Sequence, residues 1–157
     1  AEGWDKVFGS HTFHEVTNYY PTRFMRTKRF KYHRNIAWKL DFPFAADLYG
    51  SLTWEGIRNA DPPMLGPRPL KAYIQRPAEE LYDLEADPEE VHNLAAVPAF
   101  RKQLEEMRQA TEKWQKETGD LWLFRDGVSV SLVQHHIDAG LKVPDQFDVN
   151  VEMPGSR

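Results

Sequence analysis

The segment Pro98 to Asp120, PAFRKQLEEMRQATEKWQKETGD, limits the fold more than any other part of the chain. Phe100, Leu104, Met107, Thr111 and Trp114 recur at three- and four-residue spacing. On a helix that spacing gathers them into one mostly apolar stripe. Arg101/Glu105, Lys102/Glu106, Arg108/Glu112 and Lys113/Glu117 are opposite charges four residues apart on the outer faces, where such pairs support a solvated helix. Pro98 suits the start and Gly119 a left-handed stop. The spacing predicts a helix over Ala99–Thr118 whose stripe must bury itself against another element.

The sequence upstream offers strands for that role. KVFGSHTFHEVT, from Lys6 to Thr17, is rich in β-branched and aromatic residues and reads as one strand. TRFMRTKRFKYHRNIAW reads as two strands around a polar tip near Thr27 and Lys28. In its second arm Phe30 and Tyr32 share one face, Lys31 and His33 the other. A loop and a short helix near Leu52–Arg58 follow. DPPMLGPRP reads as a loop because its prolines lack ladder donors. Leu81, Tyr82 and Leu84 suit a short strand, and Asp87-Pro88-Glu89-Glu90 a turn.

In the tail, Asp120 to Arg157, LWLFRDG suggests a strand, VSVSLVQHHIDAG a strand or short helix, and EMPGSR a loose end. The expected fold is α+β: a small antiparallel sheet packed against one long helix, with a wrapping tail. Residues 1–157 are expected to form a single domain, its tail 120–157 of undetermined structure.

A chain of 157 residues can bury roughly 70% of the surface its unfolded form exposes, so a real core is within reach. The 20 basic and 24 acidic residues leave a net charge of −4, which argues against a general nucleic-acid binder. The chain has no cysteine, which excludes disulfides, thiolate metal sites and a cysteine nucleophile. No apolar run approaches the ~20 residues of a membrane-spanning helix.

The polar stretch SHTFHEVTNYYPTR, from Ser10 to Arg23, carries the main chemical candidates. His11 and His14 are three apart. On a helix they could chelate together; on a strand they point to opposite sides. A continuous strand would place His11, Phe13 and Glu15 on one face, and Thr12, His14 and Val16 on the other. A structural strand, the polar lining of a pocket and a metal site are the three readings, and strand geometry disfavours the metal. The zinc-protease signature also spaces its histidines four apart.

Arg23, Arg26, Lys28, Arg29, Lys31 and Arg34, interleaved with Phe24, Phe30 and Tyr32, form either a solvated basic face or a site for an anionic ligand. Asp83, Glu85, Asp87, Glu89 and Glu90 do not fit a calcium loop begun at Asp83. Pro88 and Leu94 stand where its glycine and final glutamate belong. His135-His136 has no partner cluster nearby, and no glycine-rich phosphate loop or nucleophile elbow is present.

One stretch carries a resemblance. ELYDLEADPEEVHNLA, Glu80 to Ala95, resembles the segment that joins a strand of the small C-terminal sheet to the final helix in the sulfatase family. RTKRFKYHRN, Arg26 to Asn35, looks like the strand pair that precedes it there. SHTFHEVTNYYPTR is similar to the matching stretch of the sulfamidase (N-sulfoglucosamine sulfohydrolase) branch, with Asn18 and Thr22 as departures from its methionines. The likeness runs from about Val7 to Trp122.

The resemblance implies a C-terminal portion of a hydrolase acting on sulfated sugars, capping a catalytic domain and shaping its substrate rim. It implies His11, His14, Glu15 and Arg23 as substrate-binding candidates, and no catalytic residue or metal ligand in this chain. The family's formylglycine arises from a Cys/Ser-x-Pro-x-Arg motif that this sequence lacks. Formylglycine and calcium are therefore expected in an N-terminal catalytic domain, which would be the chain's partner, and the chain alone is expected to be inactive. A sulfated sugar is the implied ligand; nucleic acid and membrane are not, and self-association stays open. The implied location is periplasmic, secreted or lysosomal. The start at Ala1 rather than methionine fits an expectation that the chain is part of a longer one. The alternative from another class is a non-catalytic module that binds anionic glycans through the basic hairpin.

Overall fold

A computed structural model describes residues 5–15, 18–123, 138 and 140. Four antiparallel strands form the main sheet: β1 (Lys6–Phe13), β2 (Tyr19–Thr27), β3 (Phe30–Asn35) and β6 (Glu79–Asp83), in the order β1-β2-β3-β6. Between β3 and β6 lie the helices α1 (Ala46–Tyr49), α2 (Leu52–Asn59) and α3 (Leu70–Ile74), with a two-residue strand pair, β4 (Met64–Leu65) and β5 (Arg68–Pro69). That pair corrects the expected loop. Gly66, at φ +58, lets the chain reverse there. The long helix α4 spans Arg101–Glu117, and a single 3₁₀ turn over Pro98–Phe100 precedes it.

The register explains how sheet and helix meet. Phe8 pairs with Met25, Met25 with Tyr32, and Tyr32 with Leu81. Directly opposed residues share a face, so these four side chains cross the sheet in one row. Leu104 and Met107 of α4 close onto Met25, Tyr32 and Leu81 to form the core, and Trp114 stacks on Phe8 with ring centroids 5.4 Å apart. The α+β expectation therefore describes the molecule.

The next row on that face is polar: Ser10, Arg23, Arg34 and Glu79. Burying charge is costly unless it is paired, and two of these charges meet the helix and its exit. Glu79 accepts from Arg108 Nη2 at 2.6 Å and from Tyr32 Oη at 2.7 Å. Arg23 meets Asp120, with Nε to Oδ2 at 2.6 Å and Nη2 to Oδ1 at 2.9 Å. The end of α4 delivers Asp120: Gly119, at φ +65, donates to the Lys116 carbonyl and Asp120 N–H to that of Gln115, the paired bonds of a Schellman stop. Beyond it, residues 121–123 form a 3₁₀ turn rather than the expected strand. The rest of LWLFRDG, VSVSLVQHHIDAG with its His135-His136, and EMPGSR lie outside the described residues, apart from 138 and 140.

The outer edge of β6 is covered. Leu94 N–H donates to the Leu81 carbonyl, and Asn93 Oδ1 accepts from Leu81 N–H. Such cover removes an open template for strand pairing.

Candidate functional site

β1 stops at Phe13, four residues short of the expected strand end. The chain then bends, and His14 N–H donates to the Asn18 carbonyl at 3.2 Å. Asn18 N–H donates to the Glu15 carbonyl, and its Nδ2 donates to Glu15 Oε2 at 3.4 Å. Between His11 and Phe13 of β1 the register with β2 slips, His11 pairing with Thr22 and Phe13 with Tyr19. Pro21 fits such an irregularity, where the ladder does not need its missing N–H.

This turn overrides strand alternation. His11 and His14 do not face opposite sides; both line one cleft of about 240 Å³, with Asn18 beside them. Phe42, Phe44 and Tyr73 line the other wall. Sequence reasoning missed these three, because nothing in the local pattern ties residues 42–44 to the β1–β2 turn. The available signal was the density of aromatics in DFPFAADLYGSLTW.

The aromatic wall is a packed unit. Phe44 lies 4.2 Å from Trp54 and stacks on Tyr73 at 5.6 Å. Phe42 meets Tyr20 and Tyr73 edge-on at 5.0 and 5.5 Å. The Arg76 guanidinium sits 4.4 Å from the Phe42 ring centroid, a cation–π contact, and reaches Glu80 at 3.8 Å. The cleft thus joins a rigid aromatic wall to two imidazoles and one amide that can donate or accept hydrogen bonds. Its volume falls below the roughly 300–1,000 Å³ of a complete ligand pocket.

The other expected site residues lie elsewhere. Glu15 is exposed and outside the cleft lining, held by Asn18. Arg23 is 3% exposed, with its charge spent on Asp120. The basic stretch is also largely engaged within the fold: Arg29 with Asp83 at 2.7 Å and Lys31 with Glu90 at 2.8 Å. Arg26 and Lys28 are exposed. Burial lowers the Arg34 guanidinium to about 10, still charged at neutral pH.

The acidic run supplies those partners. The Arg29 hydrogen bond is the main cause that holds the Asp83 carboxyl below its usual value, and Asp87 accepts from the His92 N–H at 2.7 Å. Among the described residues, no three His, Asp or Glu side chains are placed to share a metal ion. No described helix is long and apolar enough to cross a membrane.

No protein-family model matches the chain. It is 40% identical over 129 residues to human N-sulphoglucosamine sulphohydrolase, a match that covers 80% of this chain and 26% of the relative. It is 31% identical over 153 residues to an ulvan-active sulfatase of Formosa agariphila, covering 96% of this chain and 28% of the relative. Among solved structures it aligns with a 2-O GAG sulfatase at 22% identity and a TM-score of 0.44, covering 74% of this chain and 17% of the other. The chain spans about a quarter of the length of the curated relatives it matches.

Proposed function

We propose that this chain, a relative of the sulfatases over most of its length, is the C-terminal portion of a hydrolase that acts on sulfated sugars of the N-sulfoglucosamine type. In this reading it caps a catalytic domain that carries formylglycine and calcium. Its own contribution is one wall of the substrate rim. The observation that carries the reading is the convergence of His11, His14 and Asn18 on an aromatic wall, in a chain related over 129 residues to human N-sulphoglucosamine sulphohydrolase. Imidazole N–H groups can donate charge-assisted bonds to an anionic sugar, while Tyr73 and Phe44 offer flat apolar faces to its ring. Of the four expected contacts, this reading keeps His11 and His14, which line the cleft. Arg23 serves instead to hold the end of α4 against the sheet.

A fusion tests it. This chain replaces the matching segment of the human relative, and release of sulfate from N-sulfoglucosamine is measured for the fusion and for the chain alone. The fusion is expected to be active and the chain alone inactive. A properly folded fusion without sulfohydrolase activity contradicts the reading.

A further inference from the structure

We infer that the arm formed by α1 and α2 is the surface on which the remainder of a sulfatase-length polypeptide docks. The inference rests on the reading that this chain is one portion of such an enzyme. Helix α1 has four residues and buries none of them. Helix α2 buries only Trp54 among its eight. Leu48, Tyr49 and Leu52, within five residues of chain, are 39%, 60% and 85% exposed.

A single exposed leucine is ordinary. Three large apolar side chains grouped on one arm are the pattern of an interaction surface. An isolated helical turn is also unfavourable in water, because nucleation costs more than one turn returns.

The occupant follows from length. The relatives align with this chain over only 26% and 28% of their own length, so about three quarters of such a polypeptide stands outside the match. The arm is also continuous with the candidate site, since Leu48 lines the cleft beside Phe44. Docking would therefore fix the aromatic wall against His11 and His14.

Leu52 separates this idea from simple folding. It is the first residue of α2, after the Ser51 cap whose Oγ accepts from Trp54 N–H at 3.1 Å. A glutamate there suits the helix N-terminus. Leu52→Glu is therefore expected to leave the melting temperature of the isolated chain unchanged and to lower that of the fusion by several degrees. Equal melting of wild-type and variant fusions overturns the docking surface and leaves the family reading standing. Loss of stability in the isolated chain as well shows that Leu52 serves the domain's own packing, and overturns it too. Concentration-dependent dimers of the isolated chain that Leu52→Glu abolishes assign the arm to a second copy instead. A wild-type fusion in which this chain melts as it does alone and the remainder stays unfolded removes both readings.

Discussion

Arg23 on β2 and Asp120 beyond α4 are 97 residues apart and form a two-pronged ion pair, with side chains 3% and 9% exposed. Burial works to raise the Asp120 carboxyl, but bonds from Arg23, Gln115 and the Trp122 N–H hold it below its ordinary value. Removing one partner leaves the other charge buried without its main counterion. Arg23→Ala should cost about 3–5 kcal/mol. The double-mutant cycle with Asp120→Ala should show a coupling of about 0.5–3 kcal/mol in urea melts; additive losses would show that the pair does not act as a unit. Because the folded carboxyl is depressed, its stabilisation is present above the unfolded value near 3.8. It is lost as pH falls through the folded value.

Leu104 is 6% exposed and packs in the core with Met107. Leu104→Ala should destabilise by about 2–5 kcal/mol, read from the same melts. An unchanged midpoint would mean that α4 does not pack on the sheet.

Gly9 faces Phe24 across β1 and β2. A Cβ at Gly9 would stand 2.2 Å from Phe24 Cζ, so the ring occupies the space a side chain would need. Gly9→Val should cost about 1–3 kcal/mol through overpacking. Adding Phe24→Leu should recover part of that loss, and no recovery would place the strain elsewhere.

His33 lies beside the Phe24 ring, 5.8 Å between centroids. Burial first, then the positive charges of Lys31, Arg76 and Arg68, push its imidazole down to about 3, against the opposing charge of Glu90. The unfolded chain binds the proton near pH 6.5. The unfolded state therefore holds more protons between those values, and stability falls as pH drops below about 6.5. Between pH 7 and pH 5 the wild-type chain should lose about 1–2 kcal/mol more than His33→Leu does. Parallel pH profiles would mean that His33 is not held neutral.

The helix stripe was legible because its period is local. Leu104, Met107 and Thr111 are buried as the spacing predicts, and the hairpin turns at Lys28–Arg29 beside the expected tip. Gln115 is fully buried although its polarity reads as surface. It bonds Asp120 Oδ2 at 2.8 Å, a partner that exists only once α4 has ended against Arg23. The candidate site was half legible. Both histidines stood out, but alternation separated them. Only the early end of β1 and the turn at Asn18, with its bond to His14, bring them together. The aromatic wall comes from segments far along the chain, and no pattern around residue 11 could reveal it.

The most direct test of the whole account is steady-state kinetics of the fusion on N-sulfoglucosamine, comparing wild type with His11→Ala and His14→Ala. Each lost charge-assisted bond is worth about 1.5–3 kcal/mol. In the proposed reading the catalytic groups stand outside this chain, so the loss should fall on binding. The account predicts that KM rises roughly tenfold or more while kcat holds. Unchanged kcat/KM in both variants would contradict it.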